Sequence, residues 1–288
     1  MRRNFAQILK DAKIDIKSEY QKLYGLLYDR SIQVSNTNRI SVYDELSERF
    51  VYFHFRGTCL SIDEFNDMHE IRFERDPMDF NIDQLISLCE YIYNMLVAYQ
   101  MAQNPLGYGV SPIISAPINI QFLMSQIDQV VEQIGYIHVN ENRVTIFVEK
   151  DSAAIAVAES ELIPDTLSYK LISYSHYTMK GDLEGKKATL QQLAAVLEAK
   201  RDELKQVDRT FTSDLFYIFN NLNIRHNNVD SEFARNYKSY VANMPENELE
   251  GWYDETYQMC LLAFLQLEHS SRKVEFDKLK AAIENSDM

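Results

Sequence analysis

Residues that interrupt regular secondary structure are scarce in this chain of 288 residues, which has only 8 glycines and 6 prolines. Glycine and proline end helices and form turns, so their scarcity favours long helices over a fold with many turns. Three of the prolines and two of the glycines fall within "NPLGYGVSPIISAP" at 104–117. A helix cannot continue through this stretch, because proline lacks an N–H and fixes φ. We therefore predict an N-terminal helical region at 1–104, followed by a connection at 105–117.

Long apolar runs and paired cysteines are also missing. The strongest apolar run, "MCLLAFLQL", is about half the length that a bilayer span needs, so we predict no membrane association. Cys59, Cys89 and Cys260 lie far apart and form no CxxC, which indicates neither a disulfide framework nor a zinc site. The stretch "MRRNFAQILKDAKID" has charges inside its apolar part, unlike a secretory signal. These features predict a cytoplasmic protein with reduced cysteines.

Common catalytic and cofactor-binding signatures do not occur in the sequence. It contains no GxxxxGK[ST], GxGxxG, HExxH or GxSxG. None of the six histidines lies at metal-ligand spacing from another. Asp and Glu total 43, so pairs of carboxylates arise by chance and are typical of a solvated surface. The sequence therefore predicts no cofactor and no metal.

Positive charge is in short supply as well, because the net charge is −14. Binding to nucleic-acid phosphates depends on clustered lysine and arginine, so a large nucleic-acid surface is excluded. A small local basic site is still compatible with this charge. The basic-leaning stretches are 180–209 and the start of the chain, with Arg2, Arg3, Lys10 and Lys13.

Helical periodicity dominates the N-terminal region at 1–104. Apolar residues recur at helical spacing in 5–30, with an interruption near Asp15. Ser41 and Ser61 each precede acidic residues and are expected to cap helices. Residues 81–103 form the clearest helical pattern of this region.

A small α/β unit is predicted at 118–164. An amphipathic helix ends at Gly135, "YIHVNENRVTIFVEK" reads as a β-hairpin, and a second helix begins after Asp151. A helix, a hairpin and a helix also occur in winged DNA-binding modules. However, the helix at 118–134 has no lysine or arginine, so DNA binding is disfavoured and a structural insert is favoured.

The region 165–288 is predicted to be a helical bundle. A heptad leucine repeat resembles a coiled-coil seam, but Lys186 and Lys200 occupy two of its intermediate positions, which favours a helix packed within the domain. Residues 247–269 include an uninterrupted apolar stretch from Cys260 to Leu265 and are expected to form the central helix. The predicted fold class is therefore mainly α, a helical bundle with one small β-hairpin insert. The repeated leucines are Leu183, Leu190, Leu197 and Leu204.

The stretch "FNNLNIRHNNVDS" at 219–231 concentrates polar residues between two apolar helical patterns. Asparagine is disfavoured in helix interiors because its side chain competes for backbone hydrogen bonds. A helix is therefore expected to end near 221–223, and another to be capped near Asp230. Arg225 and His226 are adjacent, and on one helix their side chains would diverge by about 100°. At a helix end they could converge, with the arginine holding a phosphate and the histidine transferring protons.

The C-terminal half resembles the HEPN helical superfamily, which is common in bacterial abortive-infection and toxin proteins. The resemblance is carried by "YSHYTMKGDLEGKKATL" at 174–190, "FNNLNIRHNNV" at 219–229 and "LEGWYDETYQMCLLAFL" at 249–265. It covers about residues 165–285 and implies an up-and-down bundle with an arginine-centred polar joint. In the ribonuclease motif of that family, four to six residues separate the arginine from the histidine. In this chain His226 directly follows Arg225.

Two functions follow as hypotheses. The resemblance implies a protein of anti-phage defence, with metal-independent ribonuclease activity and RNA as its substrate. The alternative is a non-catalytic adaptor or subunit, which binds a protein partner or forms a homodimer; many members of the superfamily are non-catalytic, and the acidic charge favours this alternative. Under the first hypothesis the catalytic and orienting residues are Arg225, His226, Asn223 and Asn227, and the substrate-binding residues are His176 and Lys180.

Overall fold

A computed structural model describes residues 14–102, 118–232 and 235–286. The fold is mainly helical, with two small pairs of strands, which confirms the predicted fold class. The predicted connection at 105–117 and the basic residues at the chain start lie outside the described residues. The chain divides into two compact units between Phe147 and Val148, here called the N-terminal unit and the C-terminal unit.

The helices of the N-terminal unit begin where the sequence offers capping side chains. Asp15, Ser41 and Ser61 each accept hydrogen bonds from backbone N–H groups of the first turn that follows. Ser41 and Asp44 form a reciprocal capping box. The helices are α1 (Ile16–Tyr28), α2 (Val42–Arg49), α3 (Ile62–Met68), α4 (Ile82–Ala102) and α5 (Ile120–Gln133), with a 3₁₀ turn at Phe50–Tyr52.

Two antiparallel strand pairs accompany these helices. The first joins β1 (Ile32–Gln33) to β2 (Arg39–Ile40), a pair that the sequence prediction did not include. The second joins β3 (Tyr136–Glu141) to β4 (Val144–Glu149) and is the predicted hairpin. Its turn residues, Asn142 and Arg143, both have positive φ, as a tight hairpin turn requires.

The core of the N-terminal unit surrounds α4, which is buried along most of its length. Asn94 on α4 both donates to and accepts from the backbone of Thr145 on β4, at 2.7 and 2.8 Å. Glu90 accepts from the Phe147 N–H at 2.7 Å. The hairpin is thus held by side chains of α4, and the division between the two units lies within β4.

The C-terminal unit is a helical bundle. Its helices are α6 (Ser152–Ala158), α7 (Asp165–Ser173), α8 (Leu183–Ala199), α9 (Arg201–Val207), α10 (Arg209–Asn221), α11 (Ser239–Ala242) and α12 (Glu246–Ser286), with a 3₁₀ turn at Tyr177–Met179. The first part of α12 packs against α6, α8, α9 and α10 and is the central helix. The heptad leucines of α8 and α9 contribute Leu190, Leu197 and Leu204 to the core.

One local prediction for this unit is wrong. The chain at Asp230 forms a turn, and among the described residues the next helix begins only at Ser239. The Asp230 carboxylate accepts a hydrogen bond from the Glu232 N–H within that turn. His176 and Lys180 flank the 3₁₀ turn, which is followed by Gly181 with a φ of +77°.

Candidate functional site

The predicted polar joint is a turn that follows α10, and residues 223–228 are here called the asparagine turn. Asn223 has a φ of +57°, a left-handed conformation that asparagine tolerates better than most residues. The Asn223 N–H donates to the Asn228 side-chain oxygen at 2.7 Å, and the Asn228 N–H donates to the Asn223 side-chain oxygen at 3.3 Å. Both residues are buried. The two asparagines therefore close the turn, because the side-chain oxygen of each accepts a hydrogen bond from the backbone N–H of the other.

Other groups tie the asparagine turn to the bundle. The Asn228 side chain donates to the carbonyl of Asn236 at 2.7 Å, and Gln191 on α8 donates to the carbonyl of Ile224 at 2.7 Å. The Asn223 side chain also hydrogen-bonds the hydroxyl of Tyr253 on α12. Burial is the main cause that raises the pKa of Tyr253, to about 12. Asn223, predicted to orient catalytic groups, thus has structural partners.

Arg225, His226 and Asn227 lie on the exposed side of the asparagine turn. The Arg225 guanidinium donates to Glu198 on α8 at 2.6 Å, and the same carboxylate also contacts Arg201 at 3.4 Å. The Asn227 side chain accepts from the N–H groups of Val229 and Asp230 at 3.2 and 3.1 Å. Asn227 therefore shapes the exit of the turn, while the arginine is neutralised by a carboxylate.

His176 and Lys180, the predicted substrate-binding residues, line a separate cleft of about 360 Å³ in the C-terminal unit. His176 is buried, and its Nδ1 lies 2.7 Å from the Thr178 hydroxyl and accepts from the Thr178 N–H at 3.4 Å. Lys180 is exposed at the cleft. We call this the lysine cleft, after Lys180 and Lys186. Its other lining residues are Glu149, Tyr174, Ser175, Met179, Gly251, Asp254, Glu255, Tyr257 and Gln258.

Lys186 occupies the floor of the lysine cleft. Its side chain is only 6% exposed, and its ammonium donates to Glu250 and to Asp254, each at 2.7 Å. The Glu250 carboxylate also accepts from the Gly181 N–H at 2.7 Å. This backbone N–H, together with the ammonium of Lys186, lowers the pKa of Glu250. A buried cation is thus balanced by two carboxylates from one face of α12.

Two tyrosines form the wall beside this ion cluster. The rings of Tyr174 and Tyr257 are stacked, with centroids 4.0 Å apart and planes within 3°. Tyr174 donates to Asp254 at 3.0 Å, and Tyr257 donates to the Leu171 carbonyl at 2.8 Å. Burial raises the pKa of both hydroxyls, so both remain protonated donors at neutral pH.

The structure does not bring the predicted catalytic pair and the predicted substrate-binding pair together. Lys186, in the lysine cleft, and Glu198, the partner of Arg225, are both on α8. They are separated along this helix by about 18 Å, from a rise of about 1.5 Å per residue. The asparagine turn and the lysine cleft are therefore two sites, and any chemistry assigned to one must be done without the side chains of the other.

The sequence prediction missed the residues that organise the lysine cleft: Lys186, Glu250 and Asp254. One signal was present, because Lys186 interrupts the apolar seam between Leu183 and Leu190. A lysine at a buried position requires a paired carboxylate. The spacing of four residues from Glu250 to Asp254 places two such carboxylates one turn apart on a helix.

Metal-binding clusters and membrane-spanning helices are both absent from the described residues. No cluster of three or more histidine, cysteine or acidic residues that could hold a metal ion occurs in the part of the chain that the structure describes. Within the same residues, every helix is too short or too polar to cross a membrane. Cys59, Cys89 and Cys260 are all free and buried.

Comparisons with protein-family models, with curated proteins and with solved structures found no match to this chain.

Proposed function

We propose that this protein binds a basic segment of a partner protein in the lysine cleft, as a non-catalytic subunit or adaptor. The observation that carries the proposal is the charge of the cleft. Its lining contains the carboxylates of Glu149, Asp254 and Glu255 and the ammonium groups of Lys180 and Lys186. Because Lys186 is already neutralised within the fold, the charge that remains for a ligand is negative.

The accessible part of the cleft suits arginine or lysine side chains. Glu149 and Glu255 are exposed, and Gln258 lies one helical turn beyond Glu255 on the same face of α12. Carboxylates bind guanidinium groups through paired hydrogen bonds, which fix orientation as well as charge. The net charge of −14 would also attract a basic partner over a longer range.

The geometry of the asparagine turn supports a non-catalytic role. Asn223 and Asn228 are occupied with closing the turn, and Arg225 is paired with Glu198. The setting in bacterial defence rests on the resemblance of residues 165–285 to the HEPN superfamily, and it is part of the proposal.

Binding can be followed through Trp252, the only tryptophan of the chain, which is exposed on α12 beside Gly251 of the cleft. The probe is a short arginine-rich peptide, with an acidic peptide of the same length as its counterpart. We expect the basic peptide alone to change the fluorescence of Trp252. The double variant Glu149→Lys/Glu255→Lys should weaken this binding at least about tenfold, since the peptide would meet like charges.

The matched control is Glu161→Lys/Asp214→Lys, which changes the net charge equally at two exposed positions outside the cleft. This control should retain most of the affinity. Equal losses in the two double variants would show that only overall charge attracts the peptide. That result, or the absence of binding by the basic peptide, would overturn the proposal.

A metal-independent ribonuclease is the second candidate, and the exposure of Arg225 and His226 favours it. Both side chains are accessible at a helix end, where a phosphate could displace Glu198 from the arginine. The test is cleavage of single-stranded RNA in the presence of a chelator. If the candidate holds, Arg225→Ala and His226→Ala each abolish cleavage without changing unfolding. Intact RNA after incubation with the unmodified protein would exclude it.

A further inference from the structure

The second half of α12 extends beyond the buried core of the C-terminal unit. The helix has 41 residues, and Leu267 is its last buried position. Every described side chain from His269 to Asn285 is exposed. At about 1.5 Å per residue, this helical segment runs on for about 25 Å beyond the core. Helices of this length are only marginally stable alone in water, so a partner is expected along it.

Apolar side chains on this segment lie on one face. Phe276, Leu279 and Ile283 are each more than half exposed, and their spacing of three and four residues aligns them along the helix. Leu262, which is 47% exposed, lies two heptads before Phe276 on the same face. This face is turned away from the side of α12 that includes Phe264 and packs in the bundle, because two residues correspond to about 200° of helix.

These positions form a heptad pattern of the coiled-coil type. With Leu262 at position a, the a positions continue as His269, Phe276 and Ile283, and the d positions are Leu265, Arg272 and Leu279. We call this face the α12 seam. Its last heptad is apolar, whereas its middle heptad is polar at both positions. A polar middle heptad lowers the affinity of a coiled coil and restricts its register.

The charges beside the α12 seam identify the partner. The g positions are Glu268 and Glu275, and the e positions are Lys273 and Lys280. In a parallel pair, each g residue faces the e residue of the next heptad of the other helix, so Glu268 meets Lys273 and Glu275 meets Lys280. In an antiparallel pair, g faces g and e faces e, which would set like charges together. The pattern is self-complementary only for two parallel copies.

We propose that a second copy of this chain binds along the α12 seam to form a parallel two-stranded coiled coil. The polar middle positions do not prevent this pairing. Arg272 already forms an ion pair with Glu268 of its own helix, so it enters the seam neutralised. The pairing uses none of the residues of the lysine cleft, so dimerisation and peptide binding can be tested independently of each other.

Sedimentation of the full chain tests self-association. At about 100 µM the mass should approach twice the chain mass of 33.7 kDa. Leu279→Asp should weaken the dimer at least tenfold and leave Trp252 fluorescence unchanged, because Leu279 touches no core residue. Asp277→Asn, at the exposed b position of the same heptad and outside the a and d positions of the seam, is the control and should still dimerise. A monomeric parent chain, a larger oligomer, or an unaffected Leu279→Asp variant would overturn the proposal.

Charge exchange tests the choice of partner. Glu275→Lys sets lysine against Lys280 of the other copy in a parallel pair and should weaken dimerisation. Adding Lys280→Glu to the same chain restores opposite charges and should restore the dimer, and neither change disturbs the Arg272–Glu268 pair. If the double exchange remains as weak as Glu275→Lys, the charges do not select the partner.

Cross-linking tests the parallel orientation. Ile283→Cys places a thiol at position a, where two parallel copies meet, and diamide should oxidise the two thiols to an intermolecular disulfide. Ala281→Cys, at the outward f position, is the matched control and should cross-link poorly. The three native cysteines are buried and should stay unreacted. Cross-linking at 281 as efficient as at 283 would refute the parallel seam.

Discussion

The asparagine turn and the lysine cleft both contain buried polar groups of the C-terminal unit, but they satisfy them differently. In the asparagine turn, neutral amides bond to backbone groups within a few residues of each other. In the lysine cleft, charges from α8 and α12 meet across a long sequence separation, beside an open volume. Hydrogen bonds between neutral amides and the backbone stabilise the turn. The ion pairs of the cleft lie beside exposed carboxylates, which can also bind a ligand.

Removal of the Asn228 side chain should have the largest effect on stability. Asn228→Ala leaves the N–H of the buried Asn223 and the carbonyl of the half-buried Asn236 without these partners, which should lower the free energy of unfolding by about 3 kcal/mol. Urea unfolding followed by Trp252 fluorescence measures this loss. The control is Asn227→Ala, whose exposed bonds water can replace, with an expected loss below about 1 kcal/mol. Equal losses would contradict a specific role for Asn228.

Loss of the buried ammonium should cost less, about 2 kcal/mol. Lys186→Met keeps the apolar stem but leaves two carboxylates uncompensated, and the half-exposed side chain of Asp254 can regain water. Adding Glu250→Gln and Asp254→Asn should recover most of the loss, because it removes the unpaired charge. Lys187→Met, at the next position, is the control. A triple variant no more stable than Lys186→Met would contradict this account.

Acid should weaken the lysine cleft through Glu250. Hydrogen bonding to the Gly181 N–H and to Lys186 lowers the pKa of this carboxyl from its ordinary 4.5, so the folded state favours the ionised form. Its stabilising contribution is complete above pH 4.5 and is lost as pH falls through the lower pKa of the folded state, with a slope of at most about 1.4 kcal/mol per pH unit.

The difference in unfolding free energy between the parent chain and Glu250→Gln isolates this contribution. The difference should stay constant near neutral pH and shrink below pH 4.5. A difference that does not change with pH would show that the carboxylate is not specially stabilised.

Backbone conformation at Asn223 should have an effect of about 1 kcal/mol. Asn223→Ala and Asn223→Gly remove the same side-chain bonds, but only alanine is strained at a φ of +57°. The glycine variant should therefore be the more stable of the two in urea unfolding. If alanine is equally stable, the turn relaxes away from the left-handed conformation.

The smallest effect is expected from Arg225→Ala. About a third of each side chain of the Arg225–Glu198 pair is exposed, and such surface pairs contribute about 0–1 kcal/mol. Arg201 also remains beside Glu198 after the substitution. The same unfolding measurement should show a loss near the lower end of that range. A loss above about 2 kcal/mol would show that Arg225 stabilises the asparagine turn as strongly as its buried asparagines do.

Several elements could be predicted from local sequence because their causes are local. The capping serines, Gly135 after α5 and Asp151 before α6 act within one turn of themselves, and the structure has helix ends at each. The end of α10 near 221–223 was predicted for the same reason. The helix expected at Asp230 did not form, because the Asp230 carboxylate caps only a turn.

The candidate sites were less predictable, since long-range contacts decide them. Adjacency in sequence drew attention to Arg225 and His226, but contact with Glu198 on α8 determines the environment of the arginine. His176 and Lys180 both line the lysine cleft. Their partners on α12 could not be identified from spacing, because many carboxylates in the chain have similar spacing.

The sequence by itself determined the mainly helical fold, the positions of several helix ends and the hairpin, since periodicity, caps and turn residues act over a few positions. It also determined the charge pattern of the α12 seam, which follows from heptad position alone. Only the tertiary structure decided that Lys186 is buried between Glu250 and Asp254, and that the asparagines close a turn. Burial and pairing across the bundle depend on which helices meet, and a local pattern does not contain that information.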